Sequence, residues 1–271
     1  MKTRKDDKAV GIDLGTTYSS IAYVNASGVV EIIPNRDGEM KTRSLVSVAG
    51  PEPVVGLVAE RDLVLEPEQT AQLFKRCMGS TSDQGKPIPL VTDPQGREWT
   101  AVDLSACVLK ELKAAAETQL GETIPNAVIT HPAYFDEVAR EATKAAACIA
   151  GFKQVRLIEE PVAAATHYGL EKGHRELMVV LDYGGGTLDV TAIENTDRIR
   201  AVAIEGDAEL GGSNHDEALL EIVVERLRAE GVELSPKSDL AAWYQNLDRT
   251  REAKEMLARR DPVTLVAEAS G

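Results

Sequence analysis

The sequence has few basic residues for its size. Lys and Arg total 30 of 271 residues against 44 Asp and Glu, so the formal net charge is −14. This balance argues against a general nucleic-acid binder, whose affinity comes from a basic face that neutralises phosphates. It does not exclude a nucleotide, because a metal ion can screen the charge of a polyphosphate from nearby carboxylates.

The sequence also has few cysteines and no long apolar run. Cys77, Cys107 and Cys148 are odd in number and form no Cys-x-x-Cys pair, which indicates reduced thiols in a cytoplasmic protein. No stretch approaches the roughly 20 apolar residues that span a membrane. The opening "MKTRKDDK" lacks the apolar segment of a secretory signal. We therefore expect a cytoplasmic protein that binds neither membrane nor nucleic acid.

Two glycine-containing turns share one pattern. Residues 9–24 read "AVGIDLGTTYSSIAYV" and residues 177–194 read "LMVVLDYGGGTLDVTAIE". In each, an apolar run ends in an acid, Asp13 or Asp182, and a Gly and a Thr follow. One interpretation is a plain β-turn, since Gly tolerates positive φ without any functional role. The other is a phosphate cradle, because successive backbone N–H groups without side chains can converge on an anion. The repetition of the pattern favours the cradle.

The turns differ from the two familiar nucleotide loops. Neither contains G-x-x-x-x-G-K-[ST], and neither has G-x-G-x-x-G at the start of a helix. The alternation in "TLDVTAIE" predicts a strand after the second turn, so each turn joins two strands. Asp13 and Asp182 end buried strands, where an unpaired carboxylate is costly. An Mg²⁺ ion between these carboxylates and substrate phosphates would relieve that cost.

Hydrophobic periodicity and turn signals predict an α/β fold with a strand–helix–strand–helix segment and parallel pairing. Asp136 and Pro161 are predicted at helix starts, Gly121, Gly151 and Gly231 at helix ends, and Ser213 with Asp216 as a capping box. The predicted strands are residues 9–13, 19–24, 29–33, 126–131, 155–160, 177–182, 187–193 and 199–204. The predicted helices are residues 102–121, 135–151, 161–170, 213–231 and 244–260. Residues 34–100 predict a small, irregular subdomain.

Five stretches, in this order and spacing, carry a resemblance to a known family. They are "GIDLGTTYSSIA", "AVITHPAYF", "LIEEPVAAATHYGL", "LDYGGGTLDV" and "ELGGSNHDEAL". The sequence resembles the N-terminal ATPase domain of the seventy-kilodalton heat-shock (DnaK-type) chaperones, in the actin-like ATPase superfamily, over residues 9–260. The resemblance implies an actin-like, ribonuclease H-like α/β fold with two lobes around a cleft. Residues 1–172 would form the first lobe, with an inserted subdomain at about 40–102, and residues 173–271 part of the second.

The resemblance also implies roles for individual residues. Those implied for catalysis are Asp13, Lys75, Glu160 and Asp182. Those implied for binding ATP or ADP are Gly15, Thr16, Thr17, Tyr18, Gly184, Gly185, Gly186, Thr187, Gly211, Gly212 and Lys254. Those implied for Mg²⁺ are Asp13, Asp182 and Glu160. Those implied for K⁺ are Asp13, Tyr18 and Asp189. Two plainer interpretations stay open, because Lys75 alone could be a solvated surface lysine and Glu160 could only favour a helix N-terminus.

The sequence departs from the family pattern in four places. Glu255 stands where the family has an arginine that stacks on adenine, and Ala258 where it has a serine. Tyr183 and Glu159 replace a leucine and an asparagine beside their motifs. The family continues with further strands and a glycine-rich adenosine loop, whereas this sequence stops at "VTLVAEASG". Two explanations fit, a piece of a longer protein or a natural short relative with damaged nucleotide binding. We favour the first, because the strand predicted at "VTLVAE" would otherwise be an unfinished sheet edge. We expect weak ATP binding and self-association through the partial second lobe.

The sequence thus favours an ATP-binding and ATP-hydrolysing chaperone domain. In the family, hydrolysis switches the affinity for unfolded polypeptides and is regulated by co-chaperones. Two alternatives remain open at this point. One is a non-catalytic module that keeps the fold for protein interaction, and a less favoured one is a small-molecule kinase of the same superfamily.

Overall fold

The structure, a computed structural model, describes residues 8–168, 176–196 and 199–267. The strands are Ala9–Asp13 (β1), Tyr18–Val24 (β2), Val30–Ile33 (β3), Thr42–Arg43 (β4), Leu45–Ser47 (β5), Val54–Val55 (β6), Thr70–Gln72 (β7), Pro89–Thr92 (β8), Glu98–Thr100 (β9), Asn126–His131 (β10), Gln154–Glu159 (β11), Glu176–Tyr183 (β12), Leu188–Asn195 (β13) and Ile199–Asp207 (β14). The α-helices are Leu57–Leu65 (α1), Ala101–Leu120 (α2), Glu137–Ile149 (α3), Glu160–His167 (α4), Gly212–Ala229 (α5) and Leu240–Leu257 (α6). Two short 3-10 helices span Pro67–Gln69 and Phe74–Cys77. The predicted α/β class is confirmed.

The largest sheet has the order β11-β10-β1-β2-β3, and β4 pairs with β2. β1, β10 and β11 run parallel, whereas β1, β2 and β3 form an antiparallel meander. Both arrangements confirm the predictions. Helices α2 and α3 pack together, and α2 contributes Leu104, Leu109 and Leu112 to the core with almost no exposed surface. The loop between β1 and β2 therefore lies at the end of two interior strands of a well-packed sheet.

Local signals placed most helix ends correctly. Asp136 caps α3 by accepting the Ala139 N–H at 2.8 Å, and Gly121 ends α2 with φ 69°. Helix α6 begins at Leu240, four residues before the prediction, because Asp239 caps it by accepting the Ala242 N–H at 2.8 Å. Helix α4 begins one residue earlier than predicted, so Pro161 is its second residue.

A second sheet contains β12, β13 and β14 in antiparallel order. Asp182 and Asp189 lie directly opposite each other in the β12–β13 pair. Helix α4 packs on this sheet, where Ala165 and Ile193 are fully buried. The β12–β13 turn lies at the end of its two strands, as the β1–β2 turn does.

The predicted inserted subdomain, residues 40–102, contains short elements. Its sheet has the order β6-β5-β7, β8 pairs with β9, and α1 packs through Ala59 and Leu63 on Leu45. The predicted lobe boundary at 172/173 lies outside the described residues. The expected strand at "VTLVAE" is wrong, since residues 262–267 form no strand.

Candidate nucleotide site

The turn between β1 and β2, which we call the first hairpin, is held by Ser19 of β2 and by Ser44, which lies between β4 and β5. The Gly15 N–H donates to Ser19 Oγ at 3.1 Å. Ser44 ties two carbonyls, since its hydroxyl donates to Gly15 O at 2.7 Å and its N–H to Thr17 O at 2.8 Å. A Cβ on Gly15 would lie 2.0 Å from Tyr18 O, so the turn requires glycine there.

The turn between β12 and β13, the second hairpin, is held by the start of α5. The Gly184 N–H donates to Thr187 O at 3.0 Å and closes the turn. Gly212 N–H donates to Gly184 O at 3.0 Å, and Ser213 donates to Gly185 O from its N–H at 2.8 Å and its hydroxyl at 2.7 Å. Two of the three glycine carbonyls are therefore turned toward the helix.

Arg76 holds the third carbonyl. Its Nε donates to Gly186 O at 3.0 Å, and its Nη2 also contacts this oxygen. With all three carbonyls held, the N–H groups of Gly185, Gly186 and Thr187 have no acceptor within the described ranges. Consecutive unpaired N–H groups in a turn form a concave site for an anion. The second hairpin thus has the backbone arrangement of a phosphate cradle.

The two hairpins meet face to face. A Cβ built on Gly185 would lie 2.0 Å from Thr17 Oγ1, and one on Gly186 would lie 2.4 Å from Thr16 Cγ2. Thr17 Oγ1 is buried and has no hydrogen-bond partner in the part of the chain that the structure describes. A buried hydroxyl without a partner is costly, and an oxygen-rich ligand between the hairpins would supply one. This atom fits a polyphosphate.

Both hairpins line one cavity of about 330 Å³. Asp13 and Asp182 lie on its wall, as the sequence predicts, together with Lys75 and Glu160. Its lining residues are Asp13, Gly15, Thr16, Thr17, Tyr18, Lys41, Lys75, Glu160, Asp182, Gly184, Gly185, Gly186 and Thr187. Of the predicted site residues, Asp189, Gly211, Gly212 and Lys254 do not line this cavity.

The acids of the cavity repel one another. Burial raises the pKa of Asp182, and the neighbouring Asp13 raises it further, while Lys75 opposes both effects. Burial likewise raises the pKa of Glu160, although Lys75 lies 2.6 Å from its Oε1. Thr130 donates to Asp13 Oδ1 at 2.9 Å. The cavity is lined by three acids, Asp13, Glu160 and Asp182, and two lysines, Lys41 and Lys75, and the remaining excess of negative charge suits a cation.

Lys75 is not a solvated surface lysine. It is 5 % exposed and lies in the 3-10 helix Phe74–Cys77, with its ammonium paired to Glu160. Within the described ranges no group of three or more His, Cys, Asp or Glu side chains is arranged to hold a metal directly. The carboxylate oxygens of Asp13 and Asp182 are of the ligand type that Mg²⁺ prefers.

Asp189 lies directly opposite Asp182 in the β12–β13 pair, two residues after the end of the second hairpin. It is buried, and Thr187 donates to its Oδ2 at 3.2 Å. Burial raises its pKa, and the Thr187 hydrogen bond partly offsets this. Of the three residues expected to hold K⁺, Asp13 and Tyr18 line the cavity, whereas Asp189 does not.

A second cavity, of about 190 Å³, adjoins the first through Thr17, Tyr18 and Gly185. Helix α6 lines its far wall with Lys254 and Glu255. It also includes Gly212, which the sequence predicts as a binding residue, whereas Gly211 packs against the second hairpin. A Cβ on Gly211 would lie 2.6 Å from the backbone carbon of Gly185.

A scan against family models matches residues 9–269 to the Hsp70 protein family. The chain belongs to the Hsp70 family. It is 42% identical to the chaperone protein DnaK of Thermotoga neapolitana over 255 residues, which are 93% of this chain and 40% of that protein. It is 40% identical to DnaK of Thermosipho melanesiensis, covering 94% of this chain and 42% of that protein, and 40% identical to DnaK of Thermus thermophilus, covering 91% and 42%. The chain spans about 40% of the length of these relatives.

Membership of the Hsp70 family agrees with the predicted fold class, an actin-like ATPase fold. Each hairpin joins the first two strands of a three-strand antiparallel meander. Among the described helices none is long and apolar enough to cross a membrane.

Three departures from the Hsp70 pattern, Glu255, Ala258 and Tyr183, can be compared with the two cavities. Glu255 lines the second cavity, whereas Ala258 is not part of its lining. The Tyr183 hydroxyl lies 3.1 Å from His215 Nε2 on α5, outside both cavities. Glu255 is therefore the departure that bears on a bound nucleotide.

The predicted capping box at the start of α5 is wrong. Asn214, rather than Asp216, reaches back to the start of the helix by accepting the Gly211 N–H at 3.0 Å. The Ser213 hydroxyl donates to Gly185 O, and Asp216 pairs with Lys254 at 2.7 Å. Contacts with the second hairpin and α6 therefore replace the local cap.

Four residues of the site escape sequence reasoning: Lys41, Ser44, Arg76 and Asn214. Each lies far along the chain from the hairpin that it supports or adjoins. Arg76 had one available signal, because it directly follows Lys75 in the "LFKRCMGS" stretch.

Proposed function

We propose that this chain binds Mg²⁺–ATP between the two hairpins and hydrolyses it to ADP and phosphate. The observation that carries the proposal is the hydrogen bonding of the second hairpin. Its three glycine carbonyls are held by Gly212, Ser213 and Arg76, whereas the N–H groups of Gly185, Gly186 and Thr187 have no acceptor among the described residues, and the turn lines the same cavity as Asp13 and Asp182. Preorganised N–H groups of this kind stabilise the charge of a transferring phosphoryl group.

The residues of the first cavity divide the work. Asp13 and Asp182 hold Mg²⁺ through its water ligands, and Mg²⁺ supplies positive charge against the phosphate oxygens. Thr16, Thr17, Tyr18, Gly15 and the Gly184–Thr187 turn bind the phosphates. Glu160 orients the attacking water, and the Lys75 ammonium, paired with Glu160 at 2.6 Å, lies on the same cavity wall. Little covalent chemistry is asked of the protein.

Cations and the nucleoside take neighbouring positions. We assign K⁺ to Asp13, Tyr18 and Asp189. We assign the nucleoside to the second cavity, where Gly212 and Lys254 lie, with Gly211 fixing the turn beside it. The two cavities share Thr17, Tyr18 and Gly185, so one extended ligand can occupy both.

For the longer protein that the relatives represent, we propose the role that their name states, that of a chaperone. Nucleotide turnover would then control the binding of unfolded polypeptides, with co-chaperones as further partners, in the cytoplasm. The relatives reported above are named as DnaK chaperones, which disfavours a small-molecule kinase and a non-catalytic module.

The proposal is tested by binding and hydrolysis with Mg²⁺–ATP. We expect calorimetric binding of ATP and slow phosphate release by the wild-type chain. Lys75→Ala should lower single-turnover hydrolysis about 100-fold, an effect typical of removing one transition-state contact. Lys110→Ala, at an exposed position of α2, is the control. A chain that binds no ATP at millimolar concentration, or equal hydrolysis by the Lys75 variant, would contradict the proposal.

We also infer that the chain self-associates through the β12–β14 sheet. Leu177, Val179 and Leu181 alternate along the edge strand β12 and are 72%, 65% and 66% exposed on one face. An exposed apolar strand at a sheet edge favours pairing with another chain. Light scattering over a range of concentrations should show dimers or larger species, and Val179→Lys should reduce them. A concentration-independent monomer would overturn this inference.

A further inference from the structure

Arg76 lies in the 3-10 helix Phe74–Cys77, beside Lys75. The two side chains serve different parts of the molecule. Lys75 pairs with Glu160 of α4, whereas Arg76 reaches Gly186 in the second hairpin. One helical turn thus connects the catalytic acid to the phosphate cradle of the other lobe.

Arg76 makes several contacts across the lobes. Its guanidinium donates to Gly186 O, and its Nη2 donates to Asn214 Oδ1 at 2.9 Å, with Ser213 Oγ at 3.4 Å. Asn214 Oδ1 also accepts the Gly211 N–H at 3.0 Å. The hairpin and the start of α5 are therefore joined to the first lobe by the same side chain.

The backbone before Arg76 is strained. Leu73 directly precedes the helix and has φ 58° and ψ 13°, the left-handed region that residues with a Cβ rarely adopt. Such conformations persist where the surrounding structure requires them, often at functional sites. This backbone directs the turn that carries both Lys75 and Arg76.

The position of Arg76 is matched to its glycine partner. A Cβ built on Gly186 would lie 2.4 Å from Thr16 Cγ2 and 3.3 Å from Arg76 Nε, so the guanidinium and the first hairpin approach Gly186 on the same side. Arg76 therefore lies where the two hairpins meet.

We propose that Arg76 is a positioning residue that holds the second hairpin closed on a bound nucleotide and so sets the rate of nucleotide release. This inference rests on the proposed function, because it assigns a role at the same site. Hydrogen bonds from a charged donor are among the stronger ones in proteins, so their loss should loosen the closed arrangement appreciably. Arg76 acts through the hairpin and through Lys75, and needs no contact with the nucleotide.

The test is the dissociation rate of a fluorescent ADP analogue in stopped flow, with Mg²⁺ present. Arg76→Met should release the analogue roughly tenfold faster or more, as expected for loss of a charge-assisted hydrogen bond. Arg76→Lys, which can keep one hydrogen bond, should restore part of the slow release. Arg61→Met, at an exposed position of α1, is the matched control and should release at the wild-type rate.

Two further measurements separate positioning from a general loss of structure. Asn214→Ala should speed release less than Arg76→Met, and the double variant should be little worse than Arg76→Met alone, because both changes break one network. The urea midpoint of the nucleotide-free chain should change little in Arg76→Met.

The outcomes also distinguish this inference from the proposed function. If the wild-type chain binds the analogue and Arg76→Met releases it at the wild-type rate, the inference fails and the proposed function stands. An equal acceleration accompanied by a large fall in the urea midpoint would assign Arg76 a structural role and overturn the inference. If the wild-type chain binds no analogue, the proposed function fails and the inference fails with it.

Discussion

The two hairpins share a sequence pattern but are supported differently. The first hairpin is held by Ser44, which lies between β4 and β5 and binds the carbonyls of Gly15 and Thr17. The second hairpin is held from two distant parts of the chain, since α5 takes two of its carbonyls and Arg76 takes the third. The first hairpin therefore depends on one supporting segment, whereas the second depends on two.

The acids at the two hairpins also differ. Asp13 accepts a hydrogen bond from Thr130 at 2.9 Å. Burial and the charge of Asp13 raise the pKa of Asp182. The two carboxyls of the site therefore differ in their surroundings.

The largest effect on the difference between the two hairpins is expected when the Asp182 carboxylate is neutralised. Asp182→Asn should lower ATP hydrolysis at least about 100-fold, because one of the two proposed Mg²⁺ carboxylates is lost. Single-turnover phosphate release measures this. Asp62→Asn, which removes a half-buried carboxyl of α1 outside the first cavity, should hydrolyse at the wild-type rate.

The same change should stabilise the ligand-free protein. A carboxyl whose pKa is raised on folding contributes stability below its unfolded pKa and loses that contribution as the pH rises through the folded value. Asp182→Asn should therefore raise Tm near about pH 7 by about 2–4 °C, which corresponds to about 1 kcal/mol for a chain of this size. The gain should vanish toward about pH 4, near the ordinary pKa of aspartate. A gain independent of pH would contradict the expected cause.

The next largest effect is expected where the hairpins touch. Gly185→Ala places a Cβ 2.0 Å from Thr17 Oγ1, so the hairpins must separate, and ADP affinity should fall more than about tenfold. Gly184→Ala is the matched control, since its Cβ would lie 3.9 Å from Thr187 O, an ordinary van der Waals contact. Calorimetry on the pair measures the difference. Equal affinities would show that contact between the hairpins does not matter for binding.

A smaller effect should follow the loss of Ser44. Ser44→Ala frees Gly15 O and removes a hydrogen bond of 2.9 Å to Ser19 Oγ, and each such bond contributes about 0.5–1.5 kcal/mol. We expect a lower free energy of unfolding in urea and a few-fold loss of ADP affinity. Because the same Ser44 hydrogen bonds stabilise both the fold and the first hairpin, the loss of ADP affinity should track the loss of stability. A loss of affinity without a change in stability would oppose this interpretation.

The smallest effect concerns the second cavity. Glu255→Arg removes a negative charge beside Lys254 and should tighten nucleotide binding two- to fourfold or about 0.5–1 kcal/mol, more at low salt than at high salt. Glu252→Arg makes the same charge change at an exposed position outside that cavity. Calorimetry at two salt concentrations compares them. Equal tightening by both variants would indicate net charge rather than position.

Local chemistry in the sequence predicted most of the fold. Asp136 and Gly121 act within a few residues along the chain, and the apolar runs of β1 and β12 end at the acids that mark each hairpin. The predicted strand at "VTLVAE" failed because composition alone does not supply a pairing partner, and residues 262–267 are paired with no strand.

The sequence could not predict the side-chain contacts between residues that lie far apart along the chain. Ser213 looked like a local cap, but its hydroxyl is used by Gly185, 28 residues away. Arg76 reaches Gly186 over 110 residues and Asn214 over 138. No periodicity or spacing rule connects positions so far apart, so only the coordinates reveal which side chains support the second hairpin.

The distance between these supports has a consequence during protein synthesis. A nascent chain that has emerged as far as β13 already contains both glycine turns, yet the second turn still lacks the amides of Gly212 and Ser213 and the carboxamide of Asn214. Nucleotide affinity should therefore appear only once α5 has left the ribosome. Ribosome-bound chains of increasing length, probed with labelled ADP, would show how late the cradle matures.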